Sequence, residues 1–234
     1  MEKIAVSRFV TKEFYASEAI KTLRTNLMFS GASVRAVALT SFDTGAGKST
    51  ISFQLAASLA QTGKRVLLVD ADLRKSVLQS RLKIRKKLDG LSHYLSGMAN
   101  ADELLCETDV PGFYIMFAGT RVPNSAELLG GENFGKLIEA LKDVFDYVIV
   151  DAAPLGQVID CAVMAPVLDG VMMVIDVTNN SYKLERRIKT QLDKCGAKVL
   201  GVVLNRVDFK DRNGYYRKAY SYKYGYGYSE QTTK

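Results

Sequence analysis

The sequence predicts an α/β protein: a mostly parallel β-sheet flanked by helices on both faces. Three observations predict it. Short apolar runs rich in β-branched residues alternate with longer segments of helical periodicity. The runs are apolar at nearly every position, as strands covered on both faces are. Two of them end in Asp, and a third leads into a glycine-containing loop. Polar groups therefore gather at strand ends, the edge where open parallel sheets bind ligands.

The elements follow in order. Residues 13–29 form a helix, with Phe14, Ala19, Ile20, Leu23 and Leu27 recurring near 3.6-residue spacing. Residues 34–40 form a buried strand, and a helix over 49–61 stops at Gly63. Val66-Leu67-Leu68-Val69 is a second buried strand. Residues 73–112 predict short helices and loops, punctuated by Gly90, Gly97 and Gly112. Further strands are expected at 113–117, 147–150, 170–177 and 199–204, and further helices at 133–144 and 182–195. After about Asp208 the apolar periodicity ends.

A chain of 234 residues suits one α/β domain with small appendages. With 47% hydrophobic and 24% charged residues, it is neither disordered throughout nor a collagen-like or heptad rod. No long apolar run predicts a membrane-crossing helix, and residues 1–8 show no apolar signal core. Cys106, Cys161 and Cys195 are far apart and odd in number, which fits a reduced cytosolic chain. A single histidine, His93, disfavours a zinc site or a histidine-based triad. The net charge of +7 is patchy. Arg74, Lys75, Arg81, Lys83, Arg85, Lys86 and Lys87 cluster with no carboxylate among them. Two readings fit: a solvated basic face, or a docking patch for an acidic partner, nucleic acid or anionic lipid.

The strongest motif is Thr44-Gly45-Ala46-Gly47-Lys48-Ser49-Thr50, between a strand and a helix. Strand, glycine loop, lysine, hydroxyl and helix are the parts of a P-loop. Glycines let backbone N–H groups wrap oxyanions, and the helix N-terminus adds positive charge. Lys48 is expected to reach the β- and γ-phosphates of ATP, and Ser49 to ligate Mg²⁺. Phe42 occupies the position where the first glycine of the usual pattern stands, so this is a variant loop.

Two further segments add carboxylates. Val66 to Arg74 reads Val-Leu-Leu-Val-Asp-Ala-Asp-Leu-Arg, and Val148 to Pro154 reads Val-Ile-Val-Asp-Ala-Ala-Pro. Asp151 is placed to hold Mg²⁺ through water. Asp70 and Asp72 share a side if strand geometry persists. They suit a base and a metal-shell carboxylate, and spacing does not say which is which.

Taken together, the variant P-loop, the Asp-x-Asp segment and Asp151 resemble the deviant Walker ATPases, which include cell-division and plasmid-partition ATPases. Those usually carry a second lysine where this chain has Asp43. Asp70-Ala71-Asp72-Leu73-Arg74 resembles instead the second Walker A motif of the bacterial tyrosine kinases (BY-kinases). So do the segments Glu18 to Leu27 and Gly119 to Leu129. The resemblance runs from about residue 13 to the C-terminal end.

On this reading Lys48, Asp70 and Asp72 are catalytic, with Asp70 preferred as the proton acceptor and Asp72 exchangeable with it. Ser49, Asp72 and Asp151 hold Mg²⁺, with Asp160 a further metal-shell candidate. Asn205 and Arg206 resemble an adenine-facing strand end, a strand-end turn being the alternative. Arg74 and Arg81 either orient the γ-phosphate or acceptor, or are surface charge. Glu18, Lys21 and Arg24 match a Glu-x-x-Arg-x-x-Arg assembly motif that pairs subunits in a ring. Lys21 stands for the middle arginine and lacks its bidentate fork. Simple amphipathic packing is the competing reading of that helix. Ser76, Ser125 and Ala153 stand where prolines are common, which implies altered loops with the chemistry retained.

Residues 214–228 carry Tyr215, Tyr216, Tyr220, Tyr222, Tyr224, Tyr226 and Tyr228, seven of the chain's 12 tyrosines. The stretch lacks large aliphatic residues and predicts a flexible tail over 209–234, beyond a kinase domain of 1–208. Phosphoacceptor cluster, stacking segment for single-stranded nucleic acid and low-complexity tail are the three readings. Beside a nucleoside-triphosphate site the first is preferred, and BY-kinases end in such a cluster, phosphorylated between neighbouring subunits. The resemblance further implies a cytoplasmic chain recruited to the membrane by a separate activator protein. It implies a protein-tyrosine phosphatase as partner, endogenous tyrosine substrates, no nucleic acid, and control of capsular or extracellular polysaccharide export. The rival expectation is a partition- or positioning-type ATPase that binds DNA or membrane when ATP-bound.

Overall fold

A computed structural model describes residues 3–179 and 182–207, without the side chains of 182–185. Eight strands form one sheet: β1 (Lys3–Ile4), β2 (Ala36–Ser41), β3 (Val66–Asp70), β4 (Leu105–Thr108), β5 (Phe113–Met116), β6 (Tyr147–Asp151), β7 (Gly170–Asp176) and β8 (Val199–Asn205). Their spatial order is β1-β4-β5-β3-β6-β2-β7-β8. Every pairing is parallel except β4 with β5. The expected architecture is the one observed.

Alternation along each strand divides the core between the two faces. Ala36, Ala38, Leu67, Val69, Val148, Val150, Val171 and Met173 point one way. There they meet Phe134, Leu137, Ile138 and Leu141 of α6 (Glu132–Val144) and Ile188 and Leu192 of α8 (Tyr182–Lys194). Val37, Leu39, Val66, Leu68, Ile149, Met172 and Val174 point the other way. They meet α2 (Lys48–Ala60), whose Ile51 to Ala60 are all buried. Its small residues, Ala56, Ala57, Ser58 and Ala60, let it sit close to the sheet. The helix that carries the P-loop is thereby fixed on the sheet by packing on nearly every side.

α1 (Phe14–Met28) is less embedded than its periodicity predicts. Leu27 is buried, but Phe14 is 60% exposed. The helix lies on α2 rather than on the sheet, so its first turn overhangs. Segment 73–112 also departs from expectation. It holds α3 (Leu78–Arg81) and α4 (Leu91–Leu95), but also β4, which turns through Gly112 into β5. Gly112 is at φ +78°, and a Cβ there would meet the Lys64 carbonyl at 2.6 Å. β1 adds to β4, with Asp109 accepting from the N–H groups of Val6 and Ser7 at 2.6 and 2.9 Å. Two- and four-residue strands are too short to show a period. Two more short helices, α5 (Ser125–Leu129) and α7 (Asp160–Met164), lie beside the site. Among the described residues no helix is long and apolar enough to cross a membrane.

Candidate nucleotide and phosphoryl-transfer site

β2, β3, β6, β7 and β8 run parallel, so their C-terminal ends share one edge. Residues 42–47 leave β2 at that edge and enter α2. Gly45 and Gly47 have φ of +80° and +97°, the left-handed conformation that side chains resist. At Gly47 there is a second reason for glycine. The Asn205 amide donates through Nδ2 to the Ala46 carbonyl at 2.8 Å, and a Cβ on Gly47 would meet that nitrogen at 2.2 Å. Arg206, itself at φ +60°, donates to the Gly45 carbonyl at 2.9 Å and pairs with Asp176. Asn205 and Arg206 therefore brace two P-loop carbonyls, which leaves the loop's N–H groups for an anion. Thr44 and Gly45 are exposed, Ala46 is buried, and Lys48 is buried to 7% exposure. Ser49 is half-buried beside Asp151. Thr50 accepts from Arg81 Nη1 at 2.5 Å, which ties the basic segment to the loop.

Asp70 and Asp151 end their strands as direct neighbours in the β3–β6 ladder. Both are almost wholly buried. Burial, then the Asp151 carboxylate, pushes the Asp70 carboxyl up to about 8, against the pull of a hydrogen bond donated by the Ser76 hydroxyl. Burial raises Asp151 as well, opposed by the Lys48 ammonium and a hydrogen bond from Ser49. The Ser52 hydroxyl lies 3.4 Å from Asp151.

Asp72 is different. Strand geometry stops at Asp70, where the N–H of Asp72 turns back to Asp70 Oδ1 at 3.3 Å, so the two do not continue one strand face. Asp72 is half-exposed and accepts from the Lys75 N–H at 2.9 Å. Asp70 is thus the desolvated carboxyl and Asp72 the one open to water. Ser76, in sequence only a residue standing where a proline is common, is brought by the fold into contact with Asp70.

Asp160 does not join the metal side. It is fully buried and holds Arg74 through Nε and Nη2 at 3.2–3.4 Å, while accepting from Ser125 Oγ at 2.5 Å. With both oxygens engaged it is a structural clamp. It joins α7 and α5 to the Asp70–Arg74 loop, which also receives the Val122 N–H at the Leu73 carbonyl, 3.3 Å. Arg74 is therefore not free surface charge but is held by Asp160.

On α1, Glu18 and Lys21 are exposed and form an ion pair at 2.7 Å. Arg24 turns inward, donating to Ser58 Oγ and its carbonyl, both at 3.1 Å, so it anchors α1 to α2. Arg81, Lys83, Arg85, Lys86 and Lys87 are all exposed, carried by buried Leu82 and half-buried Ile84 and Leu88. Tyr215, Tyr216, Tyr220, Tyr222, Tyr224, Tyr226 and Tyr228 lie outside the described residues.

Ser49, Asp151 and Asp72 offer only oxygens, the preference of a hard cation that keeps waters and takes phosphate oxygens. A cation there would favour the charged form of Asp151, which burial alone disfavours. The residues fit Mg²⁺.

The fold and the cradle define a P-loop nucleotide-binding domain. The profile of the CobQ/CobB/MinD/ParA nucleotide binding domain matches residues 37–224. Tyrosine-protein kinase CpsD of Streptococcus agalactiae is 41% identical over 191 residues, covering 82% of this chain and 83% of its own. The crystal structure of the chimerical protein CapA2B2 superposes with a TM-score of 0.80 at 30% identity, over 88% of this chain and 93% of that one. The kinase domain of Escherichia coli tyrosine kinase ETK superposes at 0.77 and 30% identity, over 86% and 80%. The chain belongs to the bacterial tyrosine kinases.

Proposed function

We propose that this chain transfers the γ-phosphoryl group of ATP to tyrosines of its own 215–228 cluster, between neighbouring subunits. Through that it would control capsular or extracellular polysaccharide synthesis and export. One observation carries the reading: Lys48, Asp70 and Asp151 meet at one end of a glycine cradle whose carbonyls are already braced. The cradle N–H groups and Lys48 would hold the β- and γ-phosphates and neutralise charge on the transferring group. Ser49, Asp151 and Asp72 would hold Mg²⁺, which supplies further charge neutralisation. The tyrosine oxygen attacks phosphorus in line. Its O–P bond forms as the bond to the ADP oxygen breaks, and its proton passes to Asp70. A free tyrosine hydroxyl ionises near pH ~10, so the carboxylate helps only as the new bond forms.

A membrane activator, a phosphatase and other tyrosine substrates are the partners this reading implies, with Glu18 and Lys21 available to a ring. The test is incubation with Mg·ATP and mass analysis of the 215–228 peptide. Phosphate increments that vanish in Lys48→Met and Asp70→Ala support the reading. Hydrolysis without tail phosphate, together with salt-sensitive DNA binding, would favour a partition-type ATPase instead.

A further inference from the structure

The two edges of the sheet are unlike. β1 is two residues long, whereas β8 is seven, Val-Leu-Gly-Val-Val-Leu-Asn, with no charge and no proline. β8 pairs with β7 on one side, and among the described residues no strand pairs with its outer side. Val202 and Leu204 lie two apart on the same face and are 51% and 44% exposed. Their ladder neighbours in β7 are Met173, 2% exposed, and Ile175. A long, apolar, uncharged edge of this kind is a template for one more strand, which native sheets ordinarily blunt or cover.

We propose that the outer edge of β8 is a docking site for residues 220–228 of the same chain, added as an antiparallel strand while the tyrosines are unphosphorylated. Three observations select this occupant. Tyr220, Tyr222, Tyr224, Tyr226 and Tyr228 alternate strictly with Ser221, Lys223, Gly225 and Gly227. An extended chain with that period puts five rings on one face and small or polar groups on the other. Tyrosine is a favoured strand residue, and rings over Val202 and Leu204 would cover the exposed strip. Tethering supplies the rest. The chain leaves β8 at Asn205, and residues 206–219 can span about 45 Å at ~3.3 Å each. β8 itself is only about 23 Å long, so the segment can double back, and Asn213-Gly214 is a turn signal on the way.

This deepens the proposed function and rests on it in one respect: phosphorylation ends the docking. Each phosphate adds about −1.5 to −2 charges. The alternation places all of them on the face that meets apolar side chains, where unpaired charge is costly. The phosphorylated segment is released and the β8 edge is bared.

Amide hydrogen exchange on β8 tests this. The nucleotide-free, phosphatase-treated full chain is compared with a chain ending at Val207 and with a full chain carrying Tyr222→Glu and Tyr224→Glu. The outward-pointing N–H groups of 199–205 are expected to exchange at least about tenfold faster in both variants. Equal rates in all three overturn the proposal. Protection in the full chain that disappears on dilution also overturns it, because the occupant is then a second copy. Wild-type protein carrying tail phosphate should match the variants, and slow exchange in it refutes release by phosphorylation. If Mg·ATP puts no phosphate on the tail, the kinase reading fails, and the two variants still decide the docking.

Discussion

Asp70 and Asp151 close the β3–β6 ladder side by side, two buried carboxyls at the mouth of one phosphate cradle. Two charges this close and this buried cannot both be free without a cation. Burial and proximity therefore raise both carboxyls, and the effect on stability has a sign. Asp70 has an ordinary value of 3.8 and a folded value near 8. Between those limits the folded chain binds more protons than the unfolded one. Stability from this group is complete below pH ~4 and is lost as pH rises toward ~8. Asp70→Asn should melt with the nucleotide-free wild type near pH 4 and about 10 °C or more above it at pH 8. Tail phosphorylation should fall at least about 100-fold. Thermal melts across pH, with a parallel phosphate assay, check both.

Ser76 donates to Asp70, and that bond holds the carboxyl lower than burial alone would. Ser76→Ala should therefore shift the acidic limb of the rate–pH profile upward by about half a unit to one unit. Affinity for ATP should change less than about twofold, since Ser76 does not touch the cradle. An unmoved limb would mean that Asp70 is not the titrating base.

The main strands and helices, the P-loop segment and the strand-end positions of Asp70 and Asp151 were legible in the sequence, because each rests on local spacing. Buried runs such as Val66-Leu67-Leu68-Val69 carry their own signal, and Gly45 and Gly47 lead directly into a lysine that fits one chemistry. What was not legible depends on distant pairs. Asp160 reads as a metal-shell residue by its family resemblance, as an Asp after the Walker B proline, but Arg74 and Ser125 claim both its oxygens. Arg24 looked like a surface assembly residue, and Ser58, 34 positions away, draws it inward. β1 and β4 are too short to show alternation. A serine replacing a proline reads as a loosened loop until its hydroxyl is seen on Asp70.

The Arg24 anchor and the Glu18–Lys21 pair separate folding from assembly. Arg24→Ala removes two hydrogen bonds made by a charged donor and should cost about 1–3 kcal/mol, lowering Tm by several degrees. The Glu18–Lys21 pair is half-exposed, and such pairs contribute a few tenths of a kcal/mol. Glu18→Ala should leave Tm within about 1 °C. If Glu18 serves the ring, light scattering on the unphosphorylated variant should show smaller particles. A changed Tm with an unchanged size would assign this helix to packing alone.

Asp160 clamps the Asp70–Arg74 loop to α5 and α7, so its removal should disturb placement more than affinity. Asp160→Ala leaves Arg74 without its buried partner and should destabilise by about 3 kcal/mol or more. Asp160→Asn keeps shape and hydrogen bonding to Ser125 and should fold. In that variant the ATP Kd should stay within about twofold, while kcat falls about tenfold from a misplaced carboxyl. Equilibrium nucleotide binding and single-turnover phosphorylation separate the two quantities.

Gly47 carries the sharpest steric demand in the cradle. Its φ of +97° already resists a side chain, and an added Cβ would sit 2.2 Å from Asn205 Nδ2. Gly47→Ala must therefore either turn Asn205 away from the Ala46 carbonyl or distort the loop. Pairing it with Asn205→Ala distinguishes these. Relief of the clash should restore part of the lost nucleotide affinity, leaving the double variant tighter than Gly47→Ala alone. The backbone penalty of about 1–2 kcal/mol at positive φ remains in both. A double variant no better than Gly47→Ala would mean that φ, not Asn205, sets the requirement for glycine, and that the brace between β8 and the P-loop can move aside at little cost.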